Sequence, residues 1–120
     1  MAGLEARSFD SPDETRQFHA HGHAEVVEMN GHTVLRSVFE PGWSWKADIG
    51  PIAGTDTCQT HHFGYMVSGR MVIKMDDGTE MECVPGELVE IMPGHDAWTV
   101  GDETCVFIDF GDVTKYATTG

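Results

Sequence analysis

The chain has 120 residues, with 20 acidic side chains against 7 Lys and Arg and a formal charge of −13. That field repels phosphate backbones and anionic lipid, so no nucleic acid and no membrane surface is expected as a partner. Apolar residues make up 40% of the chain, enough for one packed domain at this length and too many for a disordered or collagen-like chain. No apolar run approaches the ~20 residues of a membrane span. The opening Met1–Arg7 lacks the apolar core of a signal peptide. A cytoplasmic protein is expected, and the odd, widely spaced Cys58, Cys83 and Cys105 argue for reduced thiols rather than a disulfide framework.

In chain order, residues 1–23 read as a flexible N-terminal arm, polar through Thr15 and carrying Ser11-Pro12-Asp13-Glu14. Strands at Ala24–Met29 and Thr33–Glu40 flank Asn30-Gly31, a two-residue hairpin turn whose central positions favour positive φ. Pro41-Gly42 ends the second strand. Trp43 and Trp45 follow without a decisive period, and residues 46–57 read as a loop with a strand inside it. Strands are then predicted at Gln59–Val67, Met71–Met75, Glu80–Cys83, Leu88–Met92, Ala97–Val100 and Thr104–Phe110. They are punctuated by Ser68-Gly69, Asp77-Gly78, Pro85-Gly86, Pro93-Gly94 and Gly101-Asp102. Residues 112–120 form a polar tail with no core signal. No segment carries a sustained helical period, so the expectation is an all-β antiparallel sandwich or barrel.

The spacing Gly50, Asp56, Cys58, His62, Gly69 resembles the first motif of the cupin superfamily: Gly, five residues, His, one residue, His, three or four residues, Glu, six residues, Gly. Gly86 and Gly94 match the second motif, with Pro93 one place late. The resemblance covers roughly Gly31 to Gly111. It implies a single cupin-type jelly-roll β-barrel, assigned to residues 24–111. It also implies a divalent metal inside the barrel and a homodimer formed by sheet pairing or strand exchange. None of the four usual ligand letters is kept. Asp56 and Cys58 stand for the two His of the first motif, His62 for the Glu and Ala97 for the last His.

Three of these replacements still ligate. A carboxylate oxygen, a thiolate and an imidazole together suit zinc or another first-row transition ion. His95, two residues before Ala97, shares its face on an extended strand and is a substitute for the lost ligand. The candidate metal set is therefore Asp56, Cys58, His62 and His95. Its plain alternative is that Cys58 and His62 are packed barrel residues and that His95 serves the Pro93-Gly94 turn. Even spacing places Met66 on the His62 face and His61 and Tyr65 outward. Trp43, Trp45 and Met66 are read as walls of a small-molecule pocket, against the plainer reading of core or dimer contact. His95-Asp96 would form an acid–base pair only in a turn geometry. His19, His21 and His23 alternate like a metal-holding strand, but an exposed edge that takes up ions adventitiously is the plainer reading.

Two functions stay open, beside the plainer option of a degenerate barrel kept only as an interaction domain. One is a divalent-metal and small-molecule site inside the barrel that acts enzymatically on a small oxygenated substrate. The other is a non-catalytic small-molecule binding or sensor module without an obligatory metal. Cupins host many activities, so fold alone does not choose.

Overall fold

The computed structural model describes residues 3–119. Among the described residues, nine strands form two antiparallel sheets that face each other across the core, and two one-turn helices lie between the third and fourth strands. β2 (Gly22–Met29) and β3 (His32–Phe39) make the expected hairpin, with Asn30 at φ 51° and Gly31 at φ 83° supplying the positive φ of the turn. The larger sheet has the order β1 (Glu14–Gln17), β2, β3, β9 (Cys105–Asp109), β4 (His62–Ser68), β7 (Leu88–Ile91). The smaller sheet has the order β6 (Glu80–Cys83), β5 (Arg70–Met75), β8 (His95–Val100). Alternation sends Leu35, Met66, Ile73, Val89, Ala97 and Phe107 into the space between the sheets. Among the described residues, no helix is long and apolar enough to cross a membrane.

Three regions depart from the sequence reading. The segment 46–57 contains no strand. Ser44 caps α1 (Trp45–Asp48) by accepting the Ala47 N–H. The Asp48 carboxylate returns to accept the Ser44 N–H, so Asp48 is buried as a local cap. Pro51 opens α2 (Gly50–Ala53), and Gly54 at φ 76° ends it. Caps and a left-handed stop make these single turns, which no periodicity over four residues could reveal.

The flexible arm assigned to residues 1–23 is partly built into the sheet. β1 pairs with β2 from Glu14↔Val26 to Gln17↔His23, and Phe18 is buried against Phe39 and Trp43. The tail assigned to residues 112–120 enters the core through Val113, Tyr116 and Ala117. One cation joins the two. The Arg16 guanidinium donates to the carbonyls of Val113 (3.0 Å), Thr114 (2.7 Å) and Tyr116 (2.8 Å), and also to the Glu14 carboxylate (2.7 Å). Isolated apolar residues in a polar stretch carry no period, so the docking of the tail was invisible in the sequence.

Close backbone approach explains two glycines. A Cβ on Gly64 would overlap the carbonyl of Ile108 on β9. A Cβ on Gly111 would press on Phe63 N and His62 Cα, at 2.8 and 2.9 Å. Both positions lie where β4 and β9 cross to set His62 beside Asp109.

Candidate metal centre

Four strand ends meet at one end of the barrel. His62 opens β4, His95 opens β8, Asp109 closes β9, and Ile91 closes β7 as the register partner of His62. Cys58 precedes β4 on irregular chain, but an isolated bridge fixes it to His95. The Cys58 N–H donates to the His95 carbonyl (2.7 Å), and the Gly94 and His95 N–H groups donate to the Cys58 carbonyl (2.7 and 3.2 Å). The thiol and the imidazole of His95 are thereby delivered to the same point from two facing segments of the chain.

Potential ligand atoms of Cys58, His62 and His95 all lie within 4.8 Å of one another, and all three residues are buried. Cys58 Sγ and His62 Nε2 stand 3.6 Å apart. A tetrahedral zinc with one sulfur and one nitrogen at their usual bond lengths requires a separation of about 3.6 Å. The far nitrogen of each imidazole is already engaged. His62 Nδ1 donates to Asp109 Oδ2 at 2.6 Å, and His95 Nδ1 donates to the Met92 carbonyl at 2.7 Å. A carbonyl only accepts, so His95 carries a proton on Nδ1, and Nε2 is the nitrogen left to meet an ion. Carboxylate and carbonyl partners behind two imidazoles are the arrangement that orients histidine ligands and raises their basicity. Asp109 is itself held by the N–H groups of Phe63 (3.2 Å) and Gly111 (3.0 Å) on Oδ1. The donor set, its spacing and its oriented tautomers fit a soft-to-borderline divalent ion.

Of the residues picked from sequence, the structure brings together Cys58, His62 and His95. It does not bring Asp56, which lies exposed in the bend after α2. The even-spacing argument needed an extended strand from 56 to 62, and the chain there is irregular until β4 begins at His62. Met66, Trp43 and Trp45 do wall an internal cavity together with His62 and His95. His61 points outward, as its parity requires, and pairs with Glu90 (2.8 Å) and Asp112 (3.0 Å). His95 does not pair with Asp96, whose Oδ1 accepts the Ala97 N–H.

His19, His21 and His23 do not converge. His19 is exposed, His21 Nδ1 meets Asp48 Oδ2 at 3.0 Å, and His23 Nε2 lies 3.7 Å from Glu25. The first two sit in bends rather than on a strand, so strand alternation does not apply to them. Two contributors were missed in the sequence. Asp109 was readable, because it continues the inward alternation Cys105, Phe107, Asp109 on β9. Tyr116 was not. Its ring stands edge-on to His62 at 4.9 Å, delivered by the tail that Arg16 clamps.

The electrostatics are those of a paired thiolate and imidazolium when no ion is bound. Burial pushes the Cys58 thiol up, but hydrogen bonds and positive charge from His62 and His95 outweigh it and bring the thiol down to about 6. Burial disfavours the His62 cation, yet Asp109 and then Cys58 raise it to about 9. The other two thiols behave oppositely. Burial, helped by nearby acidic groups, lifts Cys83 and Cys105 to about 11. Tyr116 is held well above the usual phenol range, by burial first and then by the charges of Cys58 and Asp109.

No protein-family model matches the chain, and no curated protein sequence matches it either. Solved structures do share its fold. A sugar phosphate isomerase of the cupin superfamily from Silicibacter pomeroyi superposes with a TM-score of 0.63 at 18% identity, over 92% of this chain and 77% of that one. A protein with a double-stranded β-helix domain from Klebsiella pneumoniae superposes with a TM-score of 0.58 at 16% identity, over 95% and 88% of the two chains. A Bacillus subtilis oxalate decarboxylase gives a TM-score of 0.58 at 16% identity, over 90% of this chain and 29% of that one. The chain therefore has the cupin fold, a single double-stranded β-helix barrel, as its glycine spacing implied.

In metal-free protein the ultraviolet absorbance of one thiolate should persist at neutral pH and disappear as the pH falls through about 6. Cys58→Ala should abolish that transition. A single midpoint near the ordinary thiol value in wild type would contradict the pairing of Cys58 with the histidines.

Proposed function

We propose that the protein is a small metal-binding cupin whose Cys58, His62 and His95 hold one divalent first-row ion, zinc being the best match to the donor set. The observation that carries this reading is the convergence of three buried donors, each imidazole already oriented by a partner on its far nitrogen. Three protein ligands leave a fourth position open, the pattern of catalytic rather than structural zinc sites. The cavity behind the cluster supplies the place for a small molecule. A bound ion would supply Lewis acidity toward an oxygen of that molecule. The protein's own part is to fix the ligand tautomers through Asp109 and the Met92 carbonyl, to exclude bulk water with Tyr116, and to keep the wall apolar. Small-molecule chemistry at this centre is favoured over a metal-free sensor module because a buried thiol held near neutrality is a poor purely structural residue.

Purified protein dialysed against zinc should carry close to one equivalent by mass spectrometry. Cys58→Ala and His62→Ala should each lose it, while Asp56→Ala retains it. Asp109→Asn should weaken zinc affinity about 10- to 100-fold, the usual cost of removing a histidine's orienting carboxylate. Stoichiometric zinc in both ligand variants would rule out this centre.

We also propose a second copy of this chain as its partner. Phe63, Tyr65 and Val67 on β4, Leu88 on β7 and Phe110 after β9 are 40–67% exposed and form one row. From typical side-chain areas, that row offers about 500 Å² of apolar surface. That lies toward the upper end of the roughly 300–600 Å² of the largest apolar patch on a typical monomer, and it would form the apolar centre of a dimer interface that buries about 800 Å² per partner. Light scattering should give twice the chain mass, reduced to one chain by Tyr65→Asp with Leu88→Asp while zinc stays bound. A wild-type monomer at micromolar concentration would overturn the proposal.

A further inference from the structure

Three polar groups in the cavity remain outside this account. Ser37 Oγ, Trp43 Nε1 and Trp45 Nε1 are buried and make no hydrogen bond with any group of the described residues. Their residues are 1–2% exposed, and all three line the same cavity as His62 and His95. Buried polar groups nearly always find partners. Here three fail to do so around one cavity, on β3 and on the chain entering α1. Ser37 also breaks the apolar alternation of β3 between Leu35 and Phe39, where an alanine would pack as well.

We propose that these three groups and the metal cluster belong to one ligand site, and that the ligand is a small carboxylate. The inference rests on the metal reading above. Its chemical content comes from the donors. An indole N–H only donates, so two of the three groups demand acceptor oxygens, and the serine hydroxyl can match either role. No Lys or Arg lines the cavity. The Asp109 carboxylate behind His62 already balances the charge of a divalent ion on one thiolate, so what favours a carboxylate is its ability to ligate the open position of the ion while its other oxygen accepts from the indoles. Asp109, the acid in the wall, does not compete for the indoles because it is an acceptor already engaged by His62, Phe63 and Gly111.

Size narrows the class. The cavity measures about 30 Å³ against the ~10–15 Å³ that one water centre needs, so it takes a molecule of a few heavy atoms. Formate or acetate fits that space, and a sugar ring or an aromatic acid does not. The apolar walls of Met66, Ile73 and Phe107 exclude further polar substituents.

The test uses zinc-loaded, nitrogen-15-labelled protein and follows its three indole N–H signals by NMR, with acetate as the probe. The half-buried Trp98, which points away from the His95 face, is an internal control. Acetate should move the Trp43 and Trp45 signals saturably and leave Trp98 in place. Benzoate and the neutral isostere acetamide should move none of them at the same concentration. Trp43→Phe and Trp45→Phe should each weaken acetate binding about tenfold with zinc content unchanged, the worth of one buried hydrogen bond. Indole signals that ignore saturating acetate, or that respond equally to acetamide, would overturn the proposal. Failure to load zinc would contradict the metal reading instead. In that case the same titration on the zinc-free protein still decides whether the indoles receive a carboxylate.

Discussion

The 2.6 Å hydrogen bond between His62 Nδ1 and Asp109 Oδ2 is the contact on which the site depends. It buries a carboxylate and an imidazole together between two sheets, where either alone would be costly to desolvate. It fixes the histidine ring so that Nε2 faces Cys58, and it supplies the negative charge that supports an imidazolium when no ion is present. The bond requires β4 and β9 to run at backbone contact, hence glycine at 64 and 111. It also requires Asp109 to be held by the Phe63 and Gly111 amides. A change at any of these places would move the metal cluster without touching a ligand.

The same economy shows in the chain ends. Arg16 reaches from the edge strand β1 to three carbonyls of the tail, and the tail sets Tyr116 against His62. Residues nearly a hundred positions apart therefore close the metal end of the barrel. The arm is held by its ladder to β2 and the burial of Phe18, the tail by the burial of Val113 and Tyr116, and one guanidinium ties the two by satisfying several backbone acceptors at once.

Most of the barrel was legible in the sequence because its strands are short, alternating and separated by Gly and Pro turns. The Asn30-Gly31 hairpin and the inward faces of β4, β5 and β8 follow from that pattern alone. His62 and His95 were legible through glycine spacing and the period of two, whereas Cys58, picked by the same spacing, is set in place by its bridge to His95. Asp56 was misplaced because the period of two was carried across residues that are not extended. Asp109 obeys the period, but nothing in its spacing from Cys58, His62 or His95 marks it as the partner of His62. The helices at Trp45–Asp48 and Gly50–Ala53 and the docking of Tyr116 depend on caps and on Arg16, which are tertiary facts with no signature in hydropathy. The role of Ser37 likewise emerges only when its lack of a partner is seen in three dimensions.

The central claim is that one thiolate and two imidazoles of this chain bind a single ion. X-ray absorption at the zinc edge of the loaded protein tests it most directly. The account predicts one sulfur at about 2.3 Å, two imidazole nitrogens at about 2.0–2.1 Å and one further light atom. A shell of oxygen and nitrogen alone, or one with more than a single sulfur, would contradict it.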